Sequence, residues 1–289
     1  MPPLSPSSSS SPSSPSSPSS PSSPSSPSSP QSSPASRDSV VAALRAAGCV
    51  FAEDEARLIL AAARTPDELA AMVDGRVLGR PLELVLGWAE FRGLRIIVEP
   101  WVFVPRRRTE FLVEQALAHV PDASVVVDLC CGSGAVGAAL AAALGPVELH
   151  AADIEPAAVR CARRNVAGVG GQVHTGDLFD ALPGELRGRV DILAANVPYV
   201  PTGEVAFLPA EARDHEPLVA LDGGTDGLDV LRRVAAEAPR WLAPGGCLLV
   251  ETSERQAPAA VEAFTRSGLT PRLAVSEDWY ANVVVGTRL

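Results

Sequence analysis

The sequence predicts an α/β protein: a mostly parallel, seven-stranded sheet that closes in an antiparallel C-terminal hairpin, preceded by a small helical domain and a β-hairpin linker. Three observations carry this. From Ser124 onward, short β-branched runs alternate with Ala-rich helical runs, the alternation that builds a parallel sheet covered on both faces. The last two strand-like runs are separated by only a short loop, which permits antiparallel pairing alone. Residues 39–72 instead place apolar side chains at helical spacing, a texture absent from the rest.

The elements follow in order. Residues 1–36 are almost only Ser and Pro, with a Pro-Ser-Ser triplet repeating from Pro12 to Pro30. Such a segment cannot bury enough surface to offset chain entropy, so a disordered tail of polyproline character is expected. It has neither the basic start nor the apolar core of a secretory signal. Residues 37–80 form the helical domain: Val40, Val41, Leu44, Ala56, Leu58, Ile59 and Leu60 recur at helix spacing, with breaks at Gly48 and Pro66. Residues 81–108 form the linker, in which 83–104 alternate and are rich in Val, Ile, Phe and Trp, with turns at Gly87 and Gly93. Residues 109–289 carry the sheet. Its predicted strands are Val125–Leu129, Val147–Ala152, Gln172–Thr175, Asp191–Asn196, Cys247–Glu251, Leu269–Val275 and Asn282–Thr287. Helices are predicted at Ala135–Leu144, Pro156–Val169 and Asp226–Trp241.

The net charge of −10 and pI near 4.9 argue against a general nucleic-acid surface, which needs clustered cations against phosphate. Every basic residue is Arg, and one cluster, Arg106-Arg107-Arg108, stands out. Cys49, Cys130, Cys131, Cys161 and Cys247 form no C-x-x-C pair and have no His at ligand spacing, which points to a reducing cytoplasm and no structural zinc. The longest apolar stretch, Gly134 to Val147, is too short to span a bilayer.

The chemistry is concentrated at the strand ends, where sheets of this kind bind ligands. In "VVVDLCCGSGAVG" a buried strand reaches Asp128, a tight loop follows with Gly132 and Gly134, and a helix begins. Gly132, Gly134 and Gly137 spell G-x-G-x-x-G, a weak dinucleotide fingerprint on its own. Asp153, in "LHAADIEP", has the spacing of a carboxylate that grips two ribose hydroxyls; its bland role is a helix cap before Pro156. Two features favour S-adenosylmethionine over NAD. Asp128 precedes the glycines and can hold an ammonium. Asp177, in "TGDLFDAL", can accept from an adenine amino group, with Leu178 against the base. In "DILAANVPYVP" an Asn closes a buried strand ahead of two prolines. Asn196 then points into the same crevice, its side-chain carbonyl and the Val197 carbonyl able to accept both N–H groups of an amide or amine. Pro198 stiffens the turn and Tyr199 offers a ring to a planar group.

These segments resemble the class I, Rossmann-like S-adenosylmethionine-dependent methyltransferases, and more narrowly the HemK/PrmC family of peptide chain release factor N(5)-glutamine methyltransferases. "NVPYVP" resembles the family's "NPPYIP", "GRPLELVLGWAEFRGLRIIVEPWVFVPRRRTEFLVEQAL" its hairpin linker and "PRPETE" segment, and "EARDHEPLVALDGGTDGLDVLRRVAAEAPRWLAPGGCLLVE" its most specific stretch. The resemblance implies a donor site at Cys130, Cys131, Gly132, Ser133 and Gly134, ribose at Asp153, adenine at Leu178, Asn196 in contact with both donor and substrate, and a glutamine pocket completed by Val197, Pro198 and Tyr199. It implies a cytoplasmic, monomeric enzyme whose partner is a release factor, with neither nucleic acid nor membrane involved. Three departures stand out: Cys130 takes a Gly position, Val197 takes the first Pro of the NPPY motif, and Arg107 and Arg108 take the Pro and Glu of PRPETE. His215, in "RDHEPL", reads as a loop residue rather than a base.

An amide nitrogen is a poor nucleophile because its lone pair is delocalised. Two acceptors that aim it, and then meet the positive charge developing on nitrogen, suffice without a strong base. Three alternatives stay open on the residues alone: an amino-methyltransferase of adenine or guanine, an NAD-binding oxidoreductase, and a non-catalytic paralogue.

Overall fold

A computed structural model describes residues 36–289, so the predicted disordered tail lies outside the described residues. Four helices open the described residues: α1 (Arg37–Ala46), α2 (Ala52–Ala62), α3 (Pro66–Val77) and α4 (Leu82–Leu86). The first and third are capped by side chains, Ser36 accepting from Ser39 N and Thr65 from Glu68 N. Val40, Leu44, Ala52, Ala56 and Ile59 bury the apolar stripes in a core of their own.

The linker hairpin is shorter than its alternating pattern predicts. Its strands are β1 (Trp88–Phe91) and β2 (Leu94–Ile97), while the segment predicted as strand from residue 83 begins as α4. Leu82, Val85 and Leu86 pack on the helical core, and the left-handed Gly87 ends that helix. Helical packing thus overrides an alternating pattern only a few residues long.

The rest is one sheet. Its strands are β3 (Val125–Leu129), β4 (Glu148–Asp153), β5 (Gln172–Thr175), β6 (Val190–Ala195), β7 (Leu242–Thr252), β8 (Thr270–Ser276) and β9 (Ala281–Thr287). Their spatial order is β5-β4-β3-β6-β7-β9-β8; all neighbours pair in parallel except β9, which is antiparallel to both β7 and β8. Helices α5 (Glu110–His119), α6 (Ala135–Leu144), α7 (Pro156–Val166), α8 (Ala210–His215), α9 (Asp229–Glu237) and α10 (Ala257–Arg266) complete the chain. Two large apolar clusters cover the opposite sheet faces, as near-continuous apolar strands require. Two predicted helices are too long. The α7 segment tightens to a 3-10 turn at Ala167–Val169 ahead of Gly170, and α9 starts only after the loop that ends in Leu228. Among the described residues, no helix is long and apolar enough to cross a membrane.

The order reverses between β3 and β6, both neighbours of β3 running parallel to it. That switch point opens a crevice beyond the carboxyl ends of the strands.

Candidate active site

A cavity of about 580 Å³ occupies that crevice, and nearly every predicted site residue lines it. Asp128 is the penultimate residue of β3 and is buried. Its Oδ2 accepts from Gly137 N at 2.8 Å. Burial, opposed by that bond, pushes its carboxyl up to about 8. A neutral acid held this way faces the cavity and gains by ionising only when a cation arrives.

The loop after β3 carries three left-handed residues before its helix, Cys130 (φ 52°), Gly132 (φ 53°) and Gly134 (φ 76°). Cys130 adopts a conformation that side chains seldom take, and its thiol, like that of Cys131, is pushed up by burial, so neither is a nucleophile. Gly134 stands apart from the cavity lining. A Cβ there would lie 3.1 Å from that of Ala162, so this glycine serves the close packing of α6 on α7. A Cβ at Gly137 would lie 3.1 Å from Asp128 Oδ2. Packing explains two of the three glycines in the dinucleotide-like spacing, a role that pattern shares, so the glycines alone do not separate the two cofactors.

Asp153 ends β4 with both carboxyl oxygens turned to backbone: Oδ2 accepts from Gly132 N at 2.8 Å, Oδ1 from Glu155 N at 2.9 Å. The bland and the functional roles coexist, since the residue braces the loop and the start of α7 while lining the cavity. Asp177 follows β5 and forms an ion pair at 2.6 Å with Arg233 of α9. Leu178 beside it takes a left-handed φ of 48°. Arg233 lines the cavity too, and nothing local in the sequence connects it to Asp177.

Asn196, predicted as the last residue of its strand, is the first residue past β6, which ends at Ala195. Its Oδ1 is buried without a hydrogen-bond partner, as is Thr252 Oγ1, alone among the buried side-chain polar atoms of the described residues. An orphan acceptor of this kind costs about 1–3 kcal/mol and calls for an explanation. The loop that follows is clamped by a second loop, 221–227. Val200 N donates to Leu221 O at 3.0 Å, Gly223 N to Val200 O at 2.8 Å, and Thr202 N to Gly224 O at 2.9 Å. Gln256 Nε2 ties Tyr199 O to Asp226 O, each at 2.9 Å.

Buried acids that the sequence reading left without roles anchor the linker. Glu216 accepts from Arg106 Nη2 at 2.6 and 2.7 Å and from Val104 N at 3.2 Å. Glu251, near the end of β7, accepts from Arg108 Nε at 2.8 Å and from Thr109 Oγ1 at 2.7 Å. The signal for Glu216 was its place in "EARDHEP", whereas His215 beside it stays outside the cavity. The described residues contain no group of His, Cys, Asp and Glu placed to hold a metal ion.

Residues 98–208 match a family model described as "Methyltransferase small domain". The chain is 38% identical over 229 residues to the release factor glutamine methyltransferase of Geobacter sulfurreducens, covering 78% of this chain and 80% of that one. It is 42% identical over 221 residues to the enzyme of the same description from Mycolicibacterium smegmatis, covering 74% and 78%. It also matches the 4-amino-L-phenylalanine/4-methylamino-L-phenylalanine methyltransferase of Streptomyces pristinaespiralis, 37% identical over 67% of this chain and 70% of that one. Among solved structures, a methyltransferase from Pyrococcus furiosus superimposes with a TM-score of 0.52 at 14% identity, over 78% of this chain and 99% of that one, which speaks to the fold.

Proposed function

Because the chain belongs to the release factor glutamine methyltransferase family, we propose that it methylates the side-chain amide nitrogen of the Gly-Gly-Gln glutamine in peptide chain release factors. S-adenosylmethionine is its methyl donor, and when bound it supplies a methyl group on a sulfonium. The observation that carries the acceptor chemistry is Asn196 Oδ1, buried at the switch point with no partner of its own.

The residues present fit the donor. Asp128 would meet its ammonium and ionise in doing so. Cys130, Cys131, Gly132 and Ser133, which line the cavity, would hold its amino acid end, Asp153 would accept from the ribose hydroxyls, and Asp177 and Leu178 would flank adenine. On the acceptor side, Asn196 Oδ1 and the Val197 carbonyl accept the two N–H groups of the glutamine amide. Both oxygens are preorganised, one by the end of a buried strand and the other by a turn stiffened at Pro198. Holding both protons turns the nitrogen lone pair toward the donor, and positive charge arising on nitrogen meets the same two oxygens. Tyr199 packs against the plane of the amide. Among the described residues the cavity brings no strong base, and transfer needs none: as the N–C bond forms, the C–S electron pair would stay with the departing sulfur, and the proton would pass afterwards from the far more acidic methylated nitrogen to water.

Labelled methyl transfer to a purified release factor tests this. Asn196→Ala is expected to leave donor affinity near wild type while kcat falls about a hundred-fold, the cost of losing one preorganised acceptor. Transfer at the wild-type rate would refute the amide clamp.

A further inference from the structure

The departure at Arg108 acquires a role in the structure. Arg108 Nε donates to Glu251 Oε1 at 2.8 Å, its Nη2 donates to the Tyr199 hydroxyl, and its guanidinium centre lies 5.9 Å from the Tyr199 ring centroid. Glu251 is buried, and its other oxygen accepts from Thr109 Oγ1 at 2.7 Å. In the β6–β7 register Ala195 faces Val250, so the next residues along, Asn196 and Glu251, are neighbours across the sheet. Arg108 therefore links the acceptor ring to a fixed carboxylate beside the clamp.

We propose that Arg108 is a positioning residue: it tethers Tyr199 to Glu251, fixes the width of the acceptor pocket, and fits that pocket to a neutral planar amide rather than to an acceptor bearing a free carboxylate. The proposal rests on the reading of Asn196 to Tyr199 as the acceptor site. Charge pairing supports the second half. The three arginines that line the cavity are each engaged by a carboxylate: Arg106 by Glu216, Arg108 by Glu251 and Arg233 by Asp177. Among the described residues the cavity thus presents no unpaired cation to an acceptor's carboxylate. A Lys at this position keeps the charge beside Glu251 but has one nitrogen in place of the planar fork whose two nitrogens hold the carboxylate and the phenol separately.

That difference makes Arg108→Lys the test. It keeps the charge beside buried Glu251, so thermal stability is expected to stay near wild type. KM for the release factor is expected to rise roughly ten-fold with donor affinity unchanged, the worth of one hydrogen bond to a charged partner. In a Tyr199→Phe background the same substitution should add nothing further to KM, since the tether has already lost its hydroxyl. The chain has two tyrosines, and Tyr280 is 89% exposed, so in a Tyr280→Phe background tyrosinate absorbance titrates Tyr199 alone. Arg108 lowers the Tyr199 phenol against the upward push of burial, so losing its hydrogen bond should move that midpoint up. Free 4-amino-L-phenylalanine should remain a poor acceptor in every variant.

An unchanged KM or midpoint in Arg108→Lys, additivity with Tyr199→Phe, or efficient methylation of the free amino acid would each overturn the proposal. Should Arg108→Lys fail to fold, Arg108→Gln/Glu251→Gln removes both charges together and the same KM cycle applies. Asn196→Ala separates the two levels. If it is inactive while Tyr199→Phe is normal, the amide clamp stands and the tether fails; if it is fully active, the acceptor site itself is misplaced.

Discussion

At the residue scale, Asp128 is the carboxyl group that departs furthest from its ordinary chemistry. Its carboxyl is raised from 3.8 to about 8, chiefly because it is buried. Between those values the folded protein keeps a proton that the unfolded chain has released. Stability from this group is therefore greatest at low pH, falls as pH rises through that window, and levels off above about 8. Donor binding has the opposite dependence. The donor's ammonium needs the carboxylate, so binding releases the proton and affinity should climb with pH by up to about ten-fold per unit until the carboxyl ionises unaided. Calorimetric titration of S-adenosylmethionine in two buffers of different ionisation enthalpy counts the released proton. Asp128→Asn keeps an acceptor for Gly137 N and should flatten the slope; a slope that survives intact would place the ammonium elsewhere. The sequence shows that an acid stands at this strand end. It does not show the protonation state, which is set by neighbours from β4 and α6 that close over the group only on folding.

At the element scale, the loop from Asn196 to Pro201 has its shape from a partner far away in the chain. Gly227 (φ 78°) sits where a Cβ would land on Tyr199 O and on Gln256 Nε2, and a Cβ at Gly223 would lie 2.6 Å from Pro198 O. Neither backbone oxygen can swing away as a flexible side chain would. Gly227→Ala should therefore shift the acceptor loop without touching the donor residues. Misplacement of about 1 Å costs on the order of a hundred-fold in rate, so kcat should collapse while the donor dissociation constant holds. Gly203→Ala, which meets nothing within 4 Å, is the matched control, and equal losses in both variants would show a general effect of alanine in these loops. This clamp marks the limit of what the sequence makes legible. The strands could be read from apolar runs; Val125–Leu129 matches residue for residue, because burial on both faces writes itself into composition, and the half-exposed edge strand Gln172–Thr175 matches too, bounded by the glycines on either side of it. The stretch "LDGGTDGLD" announces a loop but not its partner, since contacts between distant loops leave no local period. The same reason hides the Arg233–Asp177 pair and the grip of Glu216 and Glu251 on the linker.

At the scale of the whole molecule, the side chain of Arg76 ties the helical bundle to α8. Arg76 of α3 is only 12% exposed, and it binds Glu55 of α2 at 2.6 Å, Glu211 of α8 at 2.8 Å and the carbonyl of Arg80 at 3.1 Å. Glu211 in turn lines the cavity. A bundle with its own small core is thereby tied to the wall of the acceptor pocket, a tie that amphipathic spacing in residues 37–80 cannot foretell. Arg76→Ala leaves Glu55 buried without its cation. Breaking such a pair costs about 3 kcal/mol, which lowers the melting temperature by roughly 6–12 °C for a chain of this size. Arg76→Ala/Glu55→Gln removes the stranded charge and should recover most of that loss, but it cannot restore the bond to Glu211. If the bundle helps to place α8, the double variant should melt close to wild type and still show a raised KM for the release factor, with donor affinity unchanged. A double variant normal in both melting temperature and KM would reduce Arg76 to a stabilising contact and detach the bundle from the geometry of the acceptor site.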